Sequence, residues 1–143
     1  MLFAKKKRLI ERVLLVEDEA LEAFDTEHFL NGEGFTIVAT VDSVADALVW
    51  IETDPDIDLV LLDVRLADGS GIDVARAAKA RGVEVLFVTG DCPAEARALG
   101  AGWLAKPYPQ RDLLGAILAV ETVIRGKKPR KLPSSFNLFA GVA

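Results

Sequence analysis

The stretch Leu59-Val60-Leu61-Leu62-Asp63-Val64-Arg65-Leu66-Ala67-Asp68-Gly69-Ser70-Gly71 decides the fold. Four consecutive apolar residues without alternation are the pattern of a strand buried on both faces, as in a parallel sheet covered by helices on each side. The run stops at an acid and passes through turn residues into the alanine-rich helical pattern of residues 72–81. A second run, Val13-Leu14-Leu15-Val16, also ends in acids, Glu17-Asp18. Strands of such a sheet run the same way, so acids at their carboxyl ends meet at one edge, where open α/β folds bind ligands.

Outward from this stretch, strand-like and helical patterns alternate five times. Strands are expected at residues 13–16, 35–40, 58–62, 83–88 and 102–105, and helices at 18–31, from Ser43 to the break at Pro55, at 72–81, 93–99 and 110–125. Leu21, Phe24, His28 and Phe29 fall near one face of the first helix. Ser43 with Asp46 three residues later is an N-terminal cap, followed by the stripe Val44, Ala47, Leu48 and Ile51. In the last helix Leu113, Ile117, Val120 and Ile124 form a core-facing stripe. Leu114 and Leu118 form a shorter one, which reads first as flank packing and second as a contact face for a weak homodimer or a partner.

At 143 residues the chain has room for one domain, and 51% hydrophobic with 27% charged residues describes a globular protein. A net charge of −5 argues against nucleic acid as the partner. The sole cysteine, Cys92, excludes an internal disulfide and a cysteine metal cluster, and no apolar run approaches the roughly 20 residues of a membrane span. The cytoplasm is the expected compartment. Residues 1–11 carry the basic cluster Lys5-Lys6-Lys7-Arg8 without a secretion-signal pattern and read as a flexible arm, leaving a domain at 12–125. Residues 126–143 read as a basic tail with prolines and serines, whose Phe136, Leu138 and Phe139 either dock or, as is commoner for a short terminus, stay free.

Glu17, Asp18 and Asp63 at one edge repel one another, so the site needs raised pKa values or a bound cation. A hard divalent ion such as Mg2+ suits a few carboxylates, retains water, and bridges carboxylate and phosphoryl oxygens. Asp63 can then attack phosphorus to give an acyl phosphate. Thr89 ends the fourth expected strand with a hydroxyl able to donate to a phosphoryl oxygen, and Lys106 ends the fifth with an ammonium able to pair with Asp63 or the phosphate. Singly each has a bland reading, since acids cap helices, threonine favours strands and edge lysines are usually solvated. Functional groups at the ends of four of the five strands, in this order, are hard to ascribe to chance.

The motifs Val13-Leu14-Leu15-Val16-Glu17-Asp18-Glu19, Leu59-Val60-Leu61-Leu62-Asp63-Val64-Arg65, Phe87-Val88-Thr89-Gly90 and Lys106-Pro107 resemble those of a response-regulator receiver domain, over about residues 12–125. The resemblance implies a flavodoxin-like (βα)5 fold, a doubly wound, five-stranded parallel sheet of order 2-1-3-4-5. It implies phosphate accepted from a sensor histidine kinase or histidine phosphotransfer protein. Asp63 would be the phosphoacceptor, and Mg2+ would be held by Asp18, Asp63, the backbone carbonyl of Arg65 and, through water, Glu17. Thr89 and Lys106 would be the switch pair, Trp103 the aromatic switch, and the Lys106-Pro107 bond would be cis.

Departures from the family pattern are informative. Ala67 stands where a proline often follows the phosphoacceptor loop. Lys106 follows Thr89 by only 17 positions, so the fourth helix is expected to be short. Phe87-Val88-Thr89-Gly90-Asp91 is similar to the Phe-Ala-Thr-Gly motif of an alphaproteobacterial group of single-domain receivers with an altered fourth helix. No segment large enough for an output domain follows, so the expectation is a stand-alone regulator signalling by protein contact or acting as a phosphate sink or shuttle. Two alternatives are a receiver-like interaction module independent of phosphate, and a small phosphatase of the haloacid dehalogenase type. The latter wants an aspartate two residues after the nucleophile, where Arg65 stands. His28, the only histidine, reads as a packed or edge residue and not a phosphate donor, and Asp54, Asp56 and Asp58 as a solvated turn.

Overall fold

The structure, a computed structural model, describes residues 8–139. In chain order the elements are β1 (Arg12–Val16), α1 (Ala20–Gly32), β2 (Thr36–Val41), α2 (Val44–Thr53), β3 (Leu59–Leu62), the short strands β4 (Arg65–Leu66) and β5 (Gly69–Ser70), and α3 (Gly71–Ala80). Then come β6 (Glu84–Thr89), a single 3-10 helix (Ala94–Ala98), β7 (Gly102–Ala105), α4 (Gln110–Ile124) and β8 (Phe136–Leu138). The main sheet has the order β2-β1-β3-β6-β7-β8, and its first five members are parallel. This is the flavodoxin-like winding expected, with β6 and β7 as the fourth and fifth strands.

The unbroken apolar runs follow from helices lying on both faces. Leu15, Leu59, Leu61, Leu86 and Leu104 join Leu30 of α1 and Leu113, Ile117 and Val120 of α4 in one core layer. Their neighbours along the strands, Leu14, Val16, Val60, Leu62, Val85 and Phe87, face the other way, onto Ala47 and Ile51 of α2 and Val74, Ala75 and Ala78 of α3. Every side chain of β3 is therefore buried. The Ser43 cap also forms, its hydroxyl oxygen accepting from the Asp46 amide at 3.1 Å.

Three expectations need correction. Leu21, Phe24 and His28 do lie along one stripe of α1, but it faces solvent, with Leu21 74% and Phe24 67% exposed. The buried positions are Ala23 and Leu30, because the helix packs closely on the sheet and admits a small residue in its first turns. The stripe of α4 likewise holds for Leu113, Ile117 and Val120 but not for Ile124, exposed at the helix end.

The third correction is larger: the described part of the tail is not free. β8 adds a sixth, antiparallel strand to β7, pairing Gly102 with Leu138, Trp103 with Asn137 and Leu104 with Phe136. The amides of Ala105 and Phe139 donate to the carbonyls of Ser135 and Ala101 at 2.9 and 3.0 Å. Phe136 and Phe139 are both buried, and the Phe139 ring lies 6.4 Å from that of Phe87 and 5.4 Å from the Arg97 guanidinium. Two glycines make room: a Cβ at Gly102 would stand 2.5 Å from the Phe136 ring, and one at Gly115 would stand 2.7 Å from Pro133. Of the expected arm, residues 1–7 lie outside the described residues. Ile10 is buried, and the amides of Leu9 and Ile10 donate to Glu121 Oε2 at 2.7 and 2.9 Å.

Candidate functional site

The carboxyl ends of β1, β3, β6 and β7 converge. Glu17 and Asp63 directly follow β1 and β3, and strand pairing extends through both, since the Asp63 amide donates to Val16 at 3.0 Å and the Glu17 amide to Val41 at 2.9 Å. Ligand atoms of Glu17, Asp18 and Asp63 all lie within 4.8 Å of one another. Glu17 and Thr89 are buried, Asp63 is nearly so, and Asp18 is open to solvent.

Asp63 is held from both sides. Its Oδ1 accepts from the Thr89 hydroxyl at 3.0 Å and from the Arg65 amide at 3.1 Å, while its Oδ2 pairs with Lys106 Nζ at 3.0 Å. The same ammonium reaches Glu17 Oε1 at 2.5 Å and Glu22 Oε2 at 3.2 Å. Burial alone would lower the Lys106 pKa, but hydrogen bonds to Glu17 and Asp63 outweigh it and hold the ammonium above its usual range. Burial raises the Glu17 carboxyl, offset only in part by Lys106 and by the Glu19 amide, which donates to Glu17 Oε2 at 3.0 Å.

Above Asp63 lies an open cleft lined by Asp18, Asp63, Arg65, Thr89, Gly90 and Asp91. Arg65 and Asp91 face each other across it at 3.9 Å, too exposed for the pair to add much stability. Gly71 lets the loop close beneath the cleft: a Cβ there would collide with the Asp63 carbonyl oxygen. The Lys106-Pro107 bond is cis, as the resemblance implied. Trp103 lies on β7 outside the cleft, its indole N–H donating to the Thr89 carbonyl at 2.8 Å.

All the side chains expected at the site therefore converge, with Trp103 one contact away. Three residues that the sequence did not single out join them. Glu22 reaches Lys106 from the first turn of α1, the helix that begins just after the Glu17-Asp18 pair. Asp68 accepts from the amides of Val44 and Ala45 at 2.7 and 3.1 Å, which lowers its pKa and ties the loop after Asp63 to the start of α2. Its signal was the Asp68-Gly69 turn. Tyr108 lies beyond Pro107 against Thr26, with no spacing to mark it.

Three hard oxygen donors around one point, one of them open to water, fit a small divalent cation. A carboxylate flanked by a hydroxyl and an ammonium is suited to receive a group whose new negative charge those donors would meet.

A family model described as the response regulator receiver domain matches residues 13–118. The cell cycle transcriptional regulator CtrA of Caulobacter vibrioides is 33% identical over 116 residues, covering 76% of this chain and 49% of its own length. The transcriptional regulatory protein PdtaR of Mycobacterium tuberculosis is 36% identical over 112 residues, covering 74% and 54%. The chain spans about half the length of these curated relatives. Among solved structures, a response regulator receiver protein from Sinorhizobium medicae superposes with a TM-score of 0.67 at 28% identity, covering 76% of this chain and 92% of that one. The non-phosphorylated HemR receiver domain of Leptospira biflexa gives 0.68 at 26%, covering 85% and 99%.

Proposed function

The chain belongs to the response-regulator receiver family, and from that premise we propose that it accepts a phosphoryl group on Asp63 from a histidine kinase or histidine phosphotransfer protein. The observation that supports this is the double hold on Asp63: Thr89 on one oxygen and Lys106 on the other, at the mouth of a three-carboxylate cluster.

In the transfer, an Asp63 oxygen attacks the phosphorus of a phosphohistidine, forming a P–O bond as the P–N bond breaks. The imidazole nitrogen leaves with the electron pair and takes up a proton. Asp18, Asp63, the Arg65 carbonyl and, through water, Glu17 would hold Mg2+, which when bound neutralises charge between the incoming phosphoryl oxygens and the acids. The Thr89 hydroxyl and the Lys106 ammonium turn from the carboxylate to the phosphoryl oxygens. Trp103, bonded to the Thr89 backbone, carries that movement to the face around β7 and α4. Output is by contact with a downstream protein or by draining phosphate from a shared donor. Catalysis on this reading is limited to self-phosphorylation and loss of the chain's own phosphate, since Arg65 stands where a phosphatase of the haloacid dehalogenase type has its general-acid aspartate.

The test is phosphorylation by acetyl phosphate with Mg2+, read by intact mass on the full chain and on Asp63→Asn. Uptake of one phosphoryl group, lost in the variant, is the expected result. Failure with acetyl phosphate and with a panel of histidine kinases would leave the phosphate-independent interaction module as the better reading.

A further inference from the structure

Two faces of the molecule are exposed, partly apolar and opposite in charge. On α1, Leu21 and Phe24 stand clear of the sheet, with the His28 ring stacked 6.2 Å from that of Phe24, and the acids Glu22 and Asp25 flank this ridge. The second face is a groove between α4 and the returning chain. Its floor is Gly115, Leu118, Ala119 and Thr122, and its bank is the run from Lys127 to Lys131. Leu118 remains 42% exposed. Residues 110–135 carry six cations and two acids, a local charge of +4 in a chain of −5, which leaves −9 elsewhere. Both acids, Asp112 and Glu121, are buried, and Glu121 is engaged by the Leu9 and Ile10 amides, so neither shields the bank.

We propose that these faces bind each other between copies. The Leu21–Phe24 ridge of one protomer lies over Leu118 in the groove of the next, with Asp25 toward the Lys127–Lys131 bank. Charge complementarity selects this occupant: the groove calls for a helix that is acidic and apolar on one side, and the chain itself displays one. The two faces differ, so the contact is head to tail and open-ended, not a symmetric dimer. It is small and partly ionic, hence weak and salt-sensitive. It also covers the helix that begins beside Asp18, so assembled protomers present their acidic edge to a neighbour.

Sedimentation of the full chain across a concentration series tests this. In low salt the weight-average mass should rise with concentration, and at about 1 M salt, where the screening length is ~3 Å, it should return to the monomer. Lys127→Glu with Lys128→Glu, or Asp25→Lys, should each cut the association constant at least tenfold, and mixing the two variants should restore it. Phe24→Ala, an exposed truncation that leaves charge untouched, should weaken it as well, with circular dichroism verifying the fold in every case. A monomer at all concentrations, association indifferent to salt, or no recovery in the mixture would overturn the proposal. A monomeric chain that pellets with phosphatidylserine vesicles would overturn it too, giving the basic bank to a lipid surface.

Discussion

The indole N–H of Trp103 and the backbone N–H of Lys106 both donate to the carbonyl of Thr89, at 2.8 and 3.1 Å, while the Thr89 side chain touches Asp63. One residue of β6 thus links the acid at the cleft to an aromatic ring on β7. Any shift of Thr89 toward a group on Asp63 must stretch or carry these two bonds.

Trp103 should therefore report the state of Asp63. With the second tryptophan removed by Trp50→Phe, phosphorylation or beryllofluoride with Mg2+ should change the Trp103 emission, and Asp63→Asn should abolish the change. An emission unchanged by confirmed phosphorylation would break the proposed route from Thr89 to β7.

Lys106 neutralises a buried acid, so its loss should cost stability in a way a cation can repair. Lys106→Met leaves Glu17 uncompensated, and breaking such a pair typically costs about 3 kcal/mol. Urea unfolding should show this loss without Mg2+ and a clear recovery with it. Mg2+ should stabilise the variant more than the native chain.

Docking of the tail can be read from the sign of one substitution. Ala is a better helix former than Gly by about 1 kcal/mol, but at position 115 its methyl group would meet Pro133. Gly115→Ala should lower stability in the full chain and raise it by about 1 kcal/mol in a chain ending at residue 126. The same sign in both, measured by denaturant unfolding, would mean that Pro133 does not rest on α4.

The single tyrosine, Tyr108, offers a titration free of overlap from other tyrosines. Burial raises its pKa above 10, opposed by the Thr26 hydroxyl. A raised folded-state pKa favours the neutral phenol in the native protein. Its stabilising effect is therefore complete below pH 10 and is lost as pH rises through the folded value. Tyrosinate absorbance should appear above pH 10, and Thr26→Val should push it higher.

The β1 and β3 runs were legible because two-sided burial leaves no alternation, and the acids ending them located the cleft without any knowledge of contacts. Thr89 and Lys106 were legible because each strand ends on its functional group. The outward face of α1 was not: Leu21, Phe24 and His28 have core spacing, and nothing local says which side of a helix meets the sheet. β8 was hidden for a different reason. Three residues hold too few turns of any period, and their partners lie more than thirty positions earlier. Glu22 and Asp68 were missed because each acts on a residue far from it in sequence, Lys106 and Val44 respectively.

Gly102 and Gly115 leave a trace of the sixth strand far upstream of it. A glycine inside a strand and another inside a helix are each unfavourable on local grounds, yet here each is the imprint of a ring, Phe136 or Pro133, placed on it by the returning chain. Read together across related sequences, a glycine at each of these two positions with an aromatic-bearing segment downstream becomes a fingerprint. It would sort receivers whose β7 edge is already occupied from those that offer that edge to other proteins.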